Sequence, residues 1–437
     1  MMYKRYERYK DSGIEWIGEV PDRWSISKLK NYVYCLDSKR VPLSSEVRSE
    51  MQGNYPYWGA NCIIDFVDGW LFDGETVLLG EDGAPFFDWL KPVAFYSNTK
   101  IWANNHVHVL KPKGRINAEF ISFFLNIVDY KDYIKGSTRD KLTQSEMNKI
   151  PILSAPKSEQ DAITCYLNHK TSVIDSLIAD KEKLIQKLQE YKQSIIAEAV
   201  TKGLNSGLKM KDSGVEWIGE VPEHWEINKL IRIAYIKGRI GWQGLRAEEF
   251  TNEGPYLITG MHFDNGTINW DSCYRISEKR YQQAPEIKVR EGDLLITKDG
   301  TIGKVAFIDM LPGKASLNSH LLLIRPKNNG FNTRYLFWLF QSNCFIHYVN
   351  LNQVGTTFNA ITQSKVEKFK LSLPPFQEQI SIARYLDKMD AEICYIIEIV
   401  LSQIQNLKEY RQSLIYEAVT GKIDVRDYQP ERSEQLA

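Results

Sequence analysis

The chain has few cysteines, no long apolar run and no excess of charge of either sign. Its six cysteines, among 437 residues, show no C-x-x-C spacing, which argues against a structural zinc site or a disulfide framework and fits a reducing compartment. No apolar run reaches the roughly 18 residues of a membrane span, and no signal-peptide stretch follows the N-terminus. The formal net charge is zero, which argues against tight, non-specific nucleic-acid binding by the isolated chain. We therefore expect a cytoplasmic protein.

Catalytic motifs are missing as well. Gly303-Lys304 lacks the rest of a Walker A motif, and Leu373 stands where the asparagine of an N-P-P-[FYW] methyltransferase motif would be. Neither G-x-G-x-x-G nor G-x-S-x-G occurs. His106 and His108 would share one face of a strand, but no third ligand has zinc spacing, so we predict no metal site. These absences predict a protein that does not catalyse a reaction itself.

The sequence contains an internal duplication. Residues 10–21 read KDSGIEWIGEVP and residues 211–222 read KDSGVEWIGEVP, which differ at one position. A second match aligns residues 136–203 with 355–422, including T-Q-S, E-Q and E-A-V-T in the same order. The segments between these matches diverge, and the second is longer. Internal repeats decide the architecture of a chain, so we predict two similar halves that hold different contents.

Length and pattern divide the chain into four parts. A chain of 437 residues predicts two to four domains, and 43% hydrophobic residues suffice for their cores. Short apolar runs at 75–79, 106–110, 294–297 and 321–324 predict strands, and helical patterns occur at 119–133 and 335–348. The fold class is thus α/β mixed. The predicted parts are a globular domain at 1–153, a helix at 154–208, a second globular domain at 209–373, and a helix with a C-terminal tail at 374–437.

Two long helices are predicted over residues 158–201 and 377–420, because neither segment contains proline or glycine. A helix of about 44 residues would be roughly 65 Å long and needs a partner. We expect an antiparallel coiled coil within the chain that relates the halves by pseudo-two-fold symmetry; pairing of each helix with another subunit is the alternative. The heptad pattern predicts a seam of Ile174, Leu177, Leu184, Leu188, Tyr191 and Ile195 in the first helix, and of Ile393, Ile396, Val400, Leu407, Tyr410 and Leu414 in the second.

These features resemble those of type I restriction–modification specificity subunits. The W-I-G-E-V-P-x-x-W opening at 16–24 and 217–225, and the segment 291–304, are similar to parts of a target recognition domain. Each half ends in P-x-x-E-Q, a long helix and E-A-V-T, similar to the central and distal repeats of these subunits. The resemblance covers nearly the whole chain. One local difference separates the halves, because residues 80–83 read G-E-D-G where 297–300 read T-K-D-G.

The resemblance implies a function. Each target recognition domain would read one half of a bipartite, asymmetric double-stranded DNA sequence in the major groove, and the paired helices would set the distance between half-sites. Two modification subunits would methylate adenine with S-adenosylmethionine, and ATP-dependent restriction subunits would translocate and cleave with ATP and Mg²⁺. The chain itself would bind no cofactor and would determine which DNA sequence the complex recognises.

Side chains that read or position DNA are polar or basic and lie on loops. A glycine followed by two hydroxyl residues, at 136–138 and 355–357, suits a phosphate contact, although an ordinary turn fits equally well. The predicted DNA-binding residues are Asn104, Asn105, His106, Ser137, Thr138, Arg139 and Lys141 in the first domain, and Lys298, Thr301, Lys304, Asn318, His320, Thr356 and Thr357 in the second.

Two other functions are compatible with the sequence. A self-sufficient restriction–modification fragment would be an enzyme, which the missing motifs disfavour. A coiled-coil scaffold whose domains bind protein would show no sequence-selective DNA binding. The two halves match at their ends but differ in their central segments, and this difference favours DNA reading.

Overall fold

The computed structural model describes residues 4–114, 116–135, 139–240, 245, 247–353 and 360–429. The chain divides into two compact units. Unit 1 comprises Met1–Glu182 and Val400–Ala437, and unit 2 comprises Lys183–Ile399. Each unit therefore contains one globular domain and a portion of each long helix. The boundaries that the sequence predicts at 153, 208 and 373 stay predictions.

The first half of the chain contains thirteen strands and four α-helices among the described residues. The helices are α1 (Ser45–Glu50), α2 (Ala118–Leu125), α3 (Gln144–Met147) and α4 (Lys157–Lys202). The strands are β1 (Tyr9–Asp11), β2 (Glu19–Pro21), β3 (Ser25–Lys28), β4 (Val33–Cys35), β5 (Gln52–Trp58), β6 (Ile63–Val67), β7 (Thr76–Gly80), β8 (Ala94–Ser97), β9 (Trp102–Ala103), β10 (Val107–Pro112), β11 (Ile134–Lys135), β12 (Lys141–Leu142) and β13 (Pro151–Ser154).

The second half also contains thirteen strands, but six α-helices, among the described residues. Its helices are α5 (Leu230–Ile233), α6 (Glu278–Gln282), α7 (Thr333–Gln341), α8 (Asn343–Asn352), α9 (Gln363–Lys368) and α10 (Phe376–Val419). Its strands are β14 (Met210–Asp212), β15 (Glu220–Pro222), β16 (Glu226–Lys229), β17 (Ala234–Gly238), β18 (Phe250–Ile258), β19 (Phe263–Asp264), β20 (Thr267–Ile268), β21 (Tyr274–Ile276), β22 (Leu294–Thr297), β23 (Val305–Phe307), β24 (Ala315–Leu317), β25 (Leu321–Pro326) and β26 (Lys370–Leu373).

The sheets of the two units have the same topology. In unit 1 a four-stranded antiparallel sheet has the order β4-β10-β7-β8, and in unit 2 the order is β17-β25-β22-β23. Three-stranded sheets, β6-β5-β9 and β21-β18-β24, each combine one antiparallel and one parallel pair. The predicted mixed α/β class and internal duplication are confirmed. The strands β7 and β22 are fully buried, which explains their continuous apolar sequences.

Two of the shorter predicted helices differ from those observed. The helix expected over 119–133 ends at Leu125, because the Asn126 side chain bonds to the amides of Val93 and Ala94 and ties the chain to β8. The helix expected over 335–348 is two helices, because Ser342 has extended backbone angles of −76° and 154°. Aromatic periodicity continues across the break, so it did not reveal the turn.

The two long helices run antiparallel where they meet within each unit. In unit 1, Lys181 donates to Gln403 at 2.6 Å, while the earlier Asp175 pairs with the later Arg411 at 2.8 Å. In unit 2, the amino group of Lys192 pairs with Asp390. The predicted pairing within the chain is confirmed in both units.

The seam between the helices lies one residue away from five of its twelve predicted positions. Its inward residues are Ile174, Ile178, Lys181, Ile185, Leu188, Lys192 and Ile195 of α4, and Ile393, Ile397, Val400, Ile404, Leu407, Arg411 and Leu414 of α10; all of them are buried or half-buried. The predicted positions at 177, 184, 191, 396 and 410 were wrong as seam positions. These five large apolar side chains are exposed, and we call them the outer stripe: Leu177, Leu184, Tyr191, Ile396 and Tyr410. Next to Leu177, Leu184 and Ile396 the seam residue is also apolar, so spacing alone did not separate the two. Next to Tyr191 and Tyr410 the seam residue is a lysine or an arginine, which an apolar pattern does not select.

The first and last described segments of the chain come together in unit 1. The Tyr9 hydroxyl donates to the carbonyl of Gly421 at 3.0 Å, and the Tyr416 hydroxyl donates to that of Trp16 at 2.9 Å. The amide of Asp424 donates to the carbonyl of Lys4 at 2.8 Å. Unit 1 is therefore closed by the end of α10 and the residues after it. Among the described residues, no helix is long and apolar enough to cross a membrane.

Candidate nucleic-acid interface

Two loops lie side by side at one end of the four-stranded sheet of unit 1. Glu81 and the Asp82-Gly83 turn follow β7, and His106 precedes β10. The Glu81 amide donates to the His106 carbonyl at 2.9 Å, and the Leu142 amide donates to the Glu81 carbonyl at 2.7 Å. Gly83 has a φ of 69°, a left-handed conformation that favours glycine. Backbone bonds thus fix both loops in place.

Unit 2 builds the same arrangement from equivalent residues. The Lys298 amide donates to the His320 carbonyl at 3.0 Å, and the Ile361 amide donates to the Lys298 carbonyl at 2.7 Å. Gly300, which follows Asp299, has a φ of 68°. Lys298 therefore occupies the place of Glu81, as the comparison of T-K-D-G with G-E-D-G predicts.

Each arrangement presents a histidine paired with the aspartate of the turn. Nδ1 of His106 lies 2.5 Å from Oδ1 of Asp82, and Nδ1 of His320 lies 2.7 Å from Oδ1 of Asp299. The histidine side chains are 37% and 60% exposed, respectively. A carboxylate can only accept, so each Nδ1 carries a proton. Both rings are therefore oriented and reachable from solvent.

An asparagine two residues earlier sets each histidine loop. Oδ1 of Asn104 accepts from the amide of His106 at 2.7 Å, and Oδ1 of Asn318 accepts from that of His320 at 3.0 Å. Such Asx turns are typical of asparagine. Asn104 is only 6% exposed. Its side-chain oxygen serves the loop, while the next residue, Asn105, is exposed.

Basic residues surround the acidic groups of unit 1. Glu81 pairs with Arg40 at 2.7 Å and with Lys141 at 3.2 Å, and Asp82 lies 3.4 Å from Arg139. The side chains of Arg139 and Lys141 are 60% and 47% exposed. The negative charges of these carboxylates are thereby balanced, and cationic groups face the solvent beside His106.

Predicted residues of unit 2 line one shallow pocket. The Thr297 hydroxyl donates to the Thr301 carbonyl at 2.5 Å and accepts from the amide of Lys304 at 3.0 Å, which orders the loop after β22. The pocket is open to solvent, and its lining includes Thr301, Lys304, Asn318, His320, Met261 and Tyr274. The structure thus brings together four of the residues that the sequence predicts, and Lys298 lies next to Asp299 of the same lining.

Met261 and Tyr274 were missed by sequence reasoning. Met261 is 76% exposed at the tip of a short turn. The hydroxyl of Thr259 accepts from the Met261 amide at 3.4 Å, and Nδ1 of His262 accepts from the Thr259 amide at 3.1 Å. Burial lowers the pKa of His262, which favours the neutral ring that can accept this bond. The Thr-Gly pair before Met261 was the one available signal of a turn.

Four of the predicted DNA-binding residues lie outside the described part of the chain. They are Ser137, Thr138, Thr356 and Thr357. The phosphate contact expected at these two glycine–hydroxyl segments stays a prediction.

A buried ion network supports the interface of unit 1 from below. His108 lies between two oxygens, with Nδ1 at 2.5 Å from Asp37 and Nε2 at 2.8 Å from the carbonyl of Leu142. Arg40 contacts Asp37 at 3.4 Å. Burial raises the pKa of Asp37, but the hydrogen bond and charge of His108, the Val109 amide and Arg40 outweigh it and hold the pKa below its usual range.

Cys35 joins Asp37 and His108 to give three potential metal ligands, whose ligand atoms lie within 4.8 Å of one another. Sequence spacing did not reveal this trio. Burial raises the pKa of the Cys35 thiol to about 12, and the Arg40 guanidinium already supplies positive charge to Asp37. Asp37 is the centre of the observed contacts among these groups, since both His108 and Arg40 bond to it.

Unit 2 has apolar residues where unit 1 has Cys35 and His108 of this network. Strand register places Ile236 opposite Ile324 as it places Cys35 opposite Leu110. By the same register, Leu322 takes the place of His108. Ile236 and Leu322 belong to the main core of unit 2. The residues beneath the two interfaces therefore differ: they include hydrogen-bonded ionic groups in unit 1 and core apolar side chains in unit 2.

The profile of the type I restriction modification DNA specificity domain family matches residues 21–189 and again 222–406. The chain belongs to this family. The two matches correspond to the two repeated halves, so the duplication in the sequence is a duplication of the family's domain. The resemblance described above is confirmed, and so is the assignment of the chain as a non-catalytic specificity subunit for DNA recognition in a restriction–modification complex.

Two curated members of the family are similar to this chain over almost their full length. A putative type I restriction enzyme specificity subunit of Haemophilus influenzae, S.HindORF215P, is 27% identical over 87% of this chain and 92% of its own. The MjaVIII specificity subunit of Methanocaldococcus jannaschii is 22% identical over 98% of both chains. A solved chain from a study of assembly and conformational transition in a type I restriction–modification system has a TM-score of 0.67, 15% identity, and coverage of 92% of this chain and 98% of that chain. This last likeness supports the fold.

Proposed function

We propose that each unit binds one half of an asymmetric, bipartite double-stranded DNA sequence through the paired loops at the end of its four-stranded sheet. The observation that carries the proposal is the repetition of one loop geometry with different flanking side chains. Unit 1 places Arg139 and Lys141 beside its histidine, whereas unit 2 places Thr301 and Lys304 beside its own. Different side chains on the same frame favour different base sequences.

Partner proteins bind, in this proposal, along the outer stripe. Leu177, Leu184 and Tyr191 recur every seventh residue on α4, and each is more than 40% exposed. An apolar row at this spacing suits a partner helix. We assign it to two modification subunits, which methylate adenine with S-adenosylmethionine. ATP-dependent restriction subunits, with ATP and Mg²⁺, complete the complex, and this chain holds none of these cofactors.

The proposed compartment is the cytoplasm, where the DNA of a bacterial or archaeal cell lies. All six cysteines are free thiols. Unpaired cysteines fit a reducing compartment.

Mapping of N6-methyladenine across the source genome, with and without this gene, tests the proposal. We expect a gapped, two-part, asymmetric motif that disappears with the gene. Exchange of residues 1–153 for the same domain of a relative should then change one half of the motif and leave the other intact. A change in both halves contradicts the assignment of one half-site to each unit. An active partner methyltransferase without any gene-dependent motif would favour a protein-binding scaffold instead.

A further inference from the structure

Both interfaces contain the histidine–aspartate pair, together with the asparagine and the glycine of its two loops, whereas other positions around it differ. In both units the aspartate of the turn forms an isolated bridge to the strand-like segment before the next helix. Its bridge partner is Lys141 in unit 1 and Ala360 in unit 2. The residue before the aspartate also differs, since Glu81 of unit 1 is replaced by Lys298. Comparison of the two units thus separates the shared histidine–aspartate pair from the neighbouring residues that differ.

The fixed pair has the chemistry of an anion-binding group. Nδ1 of each ring carries a proton toward its aspartate, so any second proton resides on Nε2. Among the described residues, Nε2 of His106 and of His320 makes no hydrogen bond, and both rings are open to solvent. A protonated Nε2 donates a charge-assisted hydrogen bond, which is strongest toward an anionic oxygen.

We propose that His106 and His320 each bind a DNA phosphate at the equivalent place in the two half-sites, and that the unmatched side chains around them read the bases. The inference rests on the proposed function. Two half-sites of different sequence share their sugar–phosphate backbone, so a residue kept in both units serves the backbone. Phosphate contacts fix register without carrying sequence information. Asp82 and Asp299 act as positioning residues that orient the rings.

The test compares His106→Gln and His320→Gln in the full chain, co-purified with its modification subunits. Binding is measured by fluorescence anisotropy at several salt concentrations, with a duplex that carries the mapped target and with single-base variants of it. Each substitution should weaken binding roughly fivefold to tenfold at low salt and should make the slope of log K against log salt shallower by about 0.9. The penalty for each single-base change should stay the same. Asp82→Asn should give a smaller loss in the same direction.

His224→Gln is the matched control, because His224 is also exposed and also pairs with a carboxylate, that of Glu378, but lies outside these loops. It should leave affinity and slope unchanged. Loss of discrimination at one base pair with an unchanged slope would assign the histidine to base reading and overturn the inference. Unchanged affinity in both histidine variants would also overturn it and leave the pair as turn structure. Failure of the unmodified complex to prefer its target would instead refute the proposed function.

Discussion

Trp24 donates a hydrogen bond from its indole nitrogen to the carboxylate of Glu159 at 2.9 Å, and both side chains are buried. Glu159 stands in the first turn of α4. The bond therefore joins the second tryptophan of the W-I-G-E-V-P-x-x-W motif to the glutamate of the P-x-x-E-Q motif. Trp225 and Glu378 repeat it in unit 2 at 3.1 Å. In each half, two motifs that are separate in the sequence are thus joined by a hydrogen bond in the structure.

Replacement of the tryptophan of this joint should destabilise unit 1 more than unit 2. Trp24→Phe removes a donor from a buried carboxylate, which costs about 1–3 kcal/mol of unfolding free energy. Trp225→Phe should cost less, because Glu378 keeps a bond to His224 at 2.9 Å. Urea denaturation monitored by circular dichroism measures both losses. Since the volume change is the same in each, equal losses would show that His224 does not compensate.

The one-residue difference between seam and outer stripe predicts different effects for two neighbouring residues. A substitution in the seam should lower stability, and a substitution in the stripe should weaken partner binding. Ile178→Ala removes a side chain that is 9% exposed in the seam and should lower the unfolding free energy by about 2 kcal/mol. Leu177→Ala changes a side chain that is 44% exposed and should cost less than about 0.5 kcal/mol. Leu177→Ala should instead weaken association with the modification subunits about tenfold. Urea titration and size-exclusion chromatography with the partner separate the two effects, and a reversed order would return Leu177 to the seam.

The buried network of unit 1 predicts a dependence of stability on pH. The pKa of Asp37 is lower in the folded chain than its ordinary value of 3.8. Its charged form therefore contributes stability that is complete above about pH 4 and is lost as the pH falls through the lower, folded value. The difference in urea midpoint between the unmodified chain and Asp37→Asn should be constant from pH 7 to 5 and should narrow below pH 4. Asp65→Asn, a change at a more exposed carboxylate, should give a smaller difference throughout. A difference that grows on acidification would reverse the sign inferred for Asp37.

Thiol reactivity should follow burial. Burial raises the pKa of Cys35 to about 12 and that of Cys273 to about 11, so few thiolates form at either site. Iodoacetamide at pH 8 should modify the exposed Cys62 and Cys165 at least about tenfold faster, as measured by peptide mass spectrometry. All six cysteines should react equally in urea. Rapid labelling of Cys35 in the folded chain would show that its sheet opens.

The sequence predicted the frame of this molecule better than its surfaces. The repeat, both long helices and the strands at 294–297 and 321–324 follow from residue patterns that local physics reads directly, because proline, glycine and apolar runs act over short distances. The seam required a choice between adjacent apolar residues, such as Leu177 and Ile178. That choice depends on how the two helices rotate against each other, which no single helix encodes.

The candidate interface was predicted in part for the same reason. The D-G turns and His320 were identified as loop features, but the pairing of His106 with Asp82 joins residues far apart in sequence. Met261 follows β18 and His320 follows β24, two strands that pair in parallel although they lie far apart in sequence. Such contacts depend on strand order, which short-range signals in the sequence do not contain.

The joining of the first and last segments in unit 1 has a consequence for synthesis. Unit 2 is complete once residue 399 has been made, whereas unit 1 waits for the segment that begins at Val400. At about 5–20 residues per second, translation of residues 183–399 imposes a delay of roughly 10–40 s. During that interval the N-terminal domain lacks the segment that covers Trp16 and Tyr9. The N-terminal domain therefore leaves the ribosome first but is completed last. A chain truncated before residue 400 would contain all of unit 2 and an incomplete unit 1.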